Sequence, residues 1–162
     1  MADMSGKFSG DGWAAGPDGM KLWGLYGAAG LFLVAEGHVL LQHRAAWTNQ
    51  GDTWGVPGGA RERGESAADA ALRETFEECG VPAASVTVRR SLVTAGPFEG
   101  DGWTYTTVLA GASRRLPVVA NEESQELRWV PLAGDAVEQL DLLPAFRAAL
   151  PGLRDAVAEL GL

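Results

Sequence analysis

Residues 66–80, SAADAALRETFEECG, constrain the fold most narrowly. Ser66 followed three positions on by Asp69 resembles a capping box, and Gly80 suits the left-handed position after a last helical turn. No Pro or Gly interrupts the stretch between, so the spacing predicts a helix over Ser66–Cys79. Ala68, Leu72, Thr75, Phe76 and Cys79 are expected on one face for packing against a sheet. Glu74, Glu77 and Glu78 fall at i, i+3 and i+4 on the other, three carboxylates within about 100°. Like charges so placed destabilise a helix by roughly 0.2–0.5 kcal/mol per pair. Such a cluster is either a solvated stripe or a site that a cation neutralises.

The flanking sequence supplies the sheet. Ala28–Ala35 and His38–His43 are short apolar segments separated by Glu36-Gly37, a hairpin pattern. Residues 44–64 read as a long glycine-rich functional loop. Val86–Ala95 and Trp103–Ala110 read as strands across the turn PFEGDG, and Glu126–Val130 as a short strand. From Ala133 the chain reads as helical pieces broken at Pro144 and Pro151. Residues 1–19, rich in Gly, Asp and Ser, are expected to form a flexible arm, with a single domain over 20–162. Strands flanking a central helix, with more helix at the end, make an α/β layered fold.

Net charge is −8, which argues against nucleic-acid polymers and anionic membranes as partners. Cys79 is the single cysteine, and neither a signal peptide nor a membrane-spanning run is evident, so a cytoplasmic protein is expected. Two lysines against eleven arginines is a bias of GC-rich bacterial genomes.

Read from Gly59, the sequence GARERGESAADAALRETFEECGV places Glu65, Arg73-Glu74, Glu77-Glu78 and Gly80 at fixed spacing. It resembles the Nudix box, G-x5-E-x7-R-E-U-x-E-E-x-G-U, with U a bulky apolar residue. All seven fixed positions match; Thr75 stands at a U position. A chance match is on the order of 10⁻⁸ per start position at ordinary residue frequencies. WGVPGG before the box and ELRWVPL after it are similar to segments of MutT-like members. The resemblance implies a Nudix fold, an α/β/α sandwich with a central mixed sheet and the box helix packed on it. It implies a Mg²⁺-dependent pyrophosphohydrolase, with Mn²⁺ able to substitute. The substrate would be a nucleoside diphosphate linked to a further group X: a nucleoside triphosphate, ADP-ribose or a nucleotide sugar. Hard carboxylate oxygens suit such cations.

Roles then carry over by position. Glu74 and Glu78 are the expected metal ligands, Glu77 a third ligand or the general base, and Gly59 a backbone ligand. Arg73 would hold a box glutamate, with Glu65 behind it. Outside the box, Arg44 is a candidate for substrate phosphate. Trp54 and Trp47 are candidates for a nucleotide pocket, with Trp103 at its flank. Glu123 or Glu126 is a candidate to reach the metal or act as base. A homodimer is compatible by analogy. The alternatives are a non-catalytic nucleotide-binding regulator on the same fold, and a different chemistry such as isoprenoid diphosphate isomerisation, for which no Cys or His arrangement is evident. Specificity lies outside the box, so the sequence leaves the substrate open.

Overall fold

The computed structural model describes residues 9–162. Its strands are β1 (Trp13–Ala15), β2 (Lys21–Trp23), β3 (Ala28–Ala35), β4 (His38–Arg44), β5 (Trp54–Gly55), β6 (Gly58–Ala60), β7 (Thr87–Ala95), β8 (Tyr105–Gly111) and β9 (Ser124–Pro131). Its two α-helices are α1 (Ala67–Cys79) and α2 (Pro144–Leu160). The main sheet runs β5-β4-β3-β8-β7, with β6 also paired to β3 and β9 to β4. β3 and β8 are parallel and the other pairs antiparallel, so the sheet is mixed.

β3 explains the layering. Every residue of AAGLFLVA is buried, the pattern of a strand covered on both faces. Ala29, Leu31 and Leu33 pack towards Ala70, Ala71 and Cys79 of α1, while Phe32 and Val34 pack towards Phe146, Leu150 and Leu153 of α2. Alternation at period two thus yields an α/β/α sandwich with two cores. Glu36 (φ 50°) and Gly37 (φ 71°) turn the chain into β4 as a two-residue hairpin. β3 and β4 pair only beside that turn, at Val34↔Val39 and Ala35↔His38. The other end of β3 pairs with β6 through Ala29↔Gly59 and Gly30↔Gly58, which brings the glycines alongside α1.

Three expectations are corrected. Of the arm over 1–19, residues 1–8 lie outside the described residues, but β1 pairs with β2 in a hairpin, Trp13↔Trp23 to Ala15↔Lys21. The loop 44–64 contains β5 and β6, short because each meets its partner over only two or three residues. α2 is one helix rather than pieces. Pro144 occupies its first turn, where no N–H is needed, and Pro151 lies within it. An internal proline costs ~3 kcal/mol. Phe146, Leu150 and Leu153 are buried on the same helix, and each such burial contributes about 1.5–3 kcal/mol, which outweighs it.

Candidate active site

α1 is capped as its sequence requires. Ser66 Oγ accepts from the Asp69 N–H at 3.1 Å, and Gly80, at φ 74°, donates to the Phe76 carbonyl at 2.9 Å. Its faces differ from expectation. Phe76 is 58% exposed, whereas Glu78 is only 4% exposed. At about 100° per residue, Phe76 points about 140° from the centre of the buried face, and Glu78 lies near that centre. The three glutamates therefore fan from the core to solvent: Glu78 buried, Glu74 at 16% side-chain exposure, Glu77 at 54%.

Each is held differently. Glu78 Oε2 accepts from the Gly58 N–H at 3.0 Å. Burial, with the Glu123 carboxyl within hydrogen-bonding reach and Glu74 nearby, pushes its pKa up to about 10. Glu74 is pushed up to about 7, by burial first. Arg73 Nη1 donates to Glu74 Oε1 at 3.0 Å and lies 3.6 Å from Glu77 Oε1. The same guanidinium grips Glu65 with two parallel bonds, 3.0 and 2.9 Å, and donates to the Ala60 carbonyl at 3.1 Å. That fork holds the Glu65 carboxyl below its usual range and raises Arg73 above its own. A Cβ on Gly59 would sit 2.5 Å from the Glu74 carboxyl carbon, so a side chain there would push that carboxylate off its Arg73 partner, while at Gly58 the backbone of Ala29 and Gly30 leaves no room for one.

Box residues and remote segments share one cleft of about 1090 Å³. Arg44, Glu74, Glu77, Glu78 and Glu123 line it. Arg44 is braced by two bonds to the Asn49 carbonyl, 3.2 and 2.9 Å. Glu123 is placed by the Ala45 N–H, which donates to its carbonyl at 2.9 Å. Glu126, in contrast, points elsewhere: it pairs with Arg128 on β9 at 2.8 and 3.0 Å. The expectation that Trp54 lines the pocket is corrected. It is 6% exposed and packed in the α2-side core, with His43 stacked at 4.6 Å and Arg128 4.7 Å over the ring. Trp47, 69% exposed, and Trp103 do line the cleft. So do Trp13, Trp23, Phe98 and Tyr105, which sequence reasoning left without a role. The available signal was the spacing of aromatics in GDGW, KLW and DGWTY.

The residues fit a hard divalent cation by their chemistry, since α1 turns the carboxylates of Glu74, Glu77 and Glu78 to the cleft beside the Gly58–Gly59 backbone. Among the described residues no three carboxylates already converge as a ligand set. Burial of Glu74 and Glu78 is also costly for their charged forms unless a cation offsets it.

Comparison with known proteins places this arrangement. The NUDIX domain family matches residues 25–147. A Mycobacterium tuberculosis protein named "Putative 8-oxo-dGTP diphosphatase 3" is 49% identical over 160 residues, spanning 94% of this chain and 73% of its own length. A Bifidobacterium longum nucleoside triphosphate pyrophosphatase/Nudix hydrolase fusion protein is 37% identical over 93% of this chain and 32% of its own. The crystal structure of RenU, a Nudix hydrolase from M. smegmatis, superposes with a TM-score of 0.88 at 47% identity, covering 94% of this chain and 98% of that one. The chain belongs to the Nudix family. It is a hydrolase acting on diphosphate bonds.

Proposed function

We propose that this protein is a Mg²⁺-dependent pyrophosphohydrolase that cleaves a nucleoside diphosphate linked to X into a nucleotide and phosphorylated X. An oxidised purine deoxynucleoside triphosphate is the first substrate to test. The observation that carries the reading is the juxtaposition, in one nucleotide-sized cleft, of Glu74 and Glu78 with the Gly58–Gly59 backbone. The substrate class is supported by the name of the M. tuberculosis relative and by the fusion of a triphosphate pyrophosphatase to the B. longum one.

Glu74, Glu78 and the Gly59 backbone would hold the cation. When bound, it screens the diphosphate and lowers the pKa of a coordinated water. Arg73, braced by Glu65, fixes Glu74 so that it presents one geometry. Arg44 reaches the cleft as a phosphate partner. A water oxygen attacks phosphorus, the anhydride P–O bond breaks, and the water's proton passes to a carboxylate. Glu77 Oε1, the most open of the three box carboxylates, is assigned that proton. Glu77→Gln lowers kcat by about 10²–10⁴ while the fold persists. A near-normal rate in Glu77→Gln together with a collapse in Glu123→Gln moves the base to Glu123.

The test is a panel of 8-oxo-dGTP, dNTPs, ADP-ribose, nucleotide sugars and dinucleoside polyphosphates, read by phosphorus NMR. Mg²⁺-dependent cleavage of 8-oxo-dGTP to the monophosphate and pyrophosphate is expected. Silence across the panel with both Mg²⁺ and Mn²⁺ contradicts the reading.

A further inference from the structure

The Nudix match begins at residue 25, yet residues before it wall the cleft. The β1–β2 hairpin carries Trp13 and Trp23, edge to face at 5.1 Å and 75°. Both indoles remain about half exposed, 50% and 42%. Across from them the turn between β7 and β8 carries Phe98 and Trp103, nearly parallel at 6.1 Å and 13°. Trp103 leads to Tyr105 at 6.4 Å.

The hairpin is tied down at several points. The Ala15 N–H donates to Asp101 Oδ2 at 2.7 Å, and the Asp101 N–H donates back to the Ala15 carbonyl at 2.9 Å. Trp103 Nε1 donates to the Trp23 carbonyl at 3.1 Å. The Leu25 N–H donates to the Gly10 carbonyl at 2.9 Å. Gly10 itself lies so close to the Arg61 carbonyl that no side chain fits there. Arg61 immediately follows β6, so the hairpin is anchored beside the glycines that pack on Glu74.

Rings that served only to pack would be hidden by one another. These are fixed by backbone bonds and still turn apolar area to the cleft, which a soluble protein keeps where a ligand covers it. They flank a floor whose carboxylates suit cation and phosphate, so the end of the ligand away from phosphate meets flat π faces. We propose that the β1–β2 hairpin and the β7–β8 turn form the nucleobase subsite, with Trp23 and Trp103 as the specificity-determining residues on which the base stacks. The proposal rests on the nucleotide reading above.

Its test separates KM from kcat for Trp23→Ala, Trp103→Ala and Trp103→Phe, with circular dichroism melts to confirm folding. Base–aromatic stacking of ordinary strength predicts a rise in KM of about 5- to 100-fold in each alanine variant, with kcat moved far less. Trp103→Phe recovers most of the loss. Inhibition by inorganic pyrophosphate, which has no ring, stays as in the wild type. In parallel, dGMP is titrated against tryptophan fluorescence without metal, and its midpoint rises in the alanine variants. Unchanged KM in folded alanine variants of an active enzyme overturns the subsite and leaves the hydrolase standing. If the wild type cleaves nothing, the dGMP titration decides alone: a weakened midpoint in the variants upholds the subsite, and no quenching in the wild type overturns it.

Discussion

The floor of the cleft and its aromatic wall are built in opposite ways. The floor comes from one continuous stretch, Gly58 to Glu78, in which Arg73 joins Glu65, Glu74 and the Ala60 carbonyl, and Glu78 accepts from Gly58 beside Glu123. The wall comes from three segments far apart in sequence: the hairpin 13–23, the turn 98–103 and Trp47. The floor is held by the Arg73 ion pairs and by a close backbone approach at Gly58. The wall is held by a few hydrogen bonds and keeps its rings uncovered. A site of this kind fixes the reacting phosphate through the first part and can vary its specificity through the second.

The contrast breaks first at the floor. Glu78→Gln removes the buried carboxylate proposed to hold the cation while keeping its volume, and kcat is expected to fall on the order of 10³, with the Mg²⁺ titration displaced to higher concentration. A near-wild-type rate in a folded variant would separate the floor from catalysis. Arg73→Lys keeps the charge but loses the fork that joins Glu65, Glu74 and the Ala60 carbonyl. Activity then drops about 10- to 100-fold, with a lower melting temperature. Equal kinetics would show that Glu74 needs no brace.

The floor also carries a pH signature that the wall lacks. Glu74 and Glu78 hold protons in the folded state, with pKa values near 7 and 10, that the unfolded chain releases in the ordinary glutamate range. Stability of the cation-free protein is therefore full at low pH and declines as pH rises through about 7 and on towards 10. Melting in EDTA is expected at lower temperature at pH 8.5 than at pH 6, with Mg²⁺ restoring more at the higher pH. A flat profile contradicts the burial of these carboxylates. The smallest effect is expected at Glu126, an exposed partner of Arg128 on the outer strand: Glu126→Gln should change the rate by less than twofold. A tenfold loss would bring β9 into the site.

The same contrast explains what the sequence disclosed. Box spacing is local, so Ser66, Gly80, Arg73 and the glutamates fall on a helix by spacing alone. β3 and its hairpin were legible because an apolar run and a Glu-Gly turn are local too. Burial of Glu78 was not, because helical spacing says which residues share a face but not how deep the sheet takes that face. Trp54 was misplaced for the same reason: its neighbours His43 and Arg128 arrive from other strands. Trp13 and Trp23 were hidden in and beside a stretch that composition marked as an arm. Their role appears only once Asp101 and Trp103 are folded against them. Pro151 misled because its local cost is visible in sequence and the packing of α2 is not.

The most direct measurement of the central claim is Mn²⁺ binding to the metal-free protein by electron paramagnetic resonance, in the wild type and in Glu74→Gln/Glu78→Gln. Loss of the free Mn²⁺ signal in the wild type, enhanced by a bound nucleotide and abolished in the folded double variant, is the predicted result. Undiminished Mn²⁺ binding in that variant would contradict the assignment of the buried glutamates as the cation site.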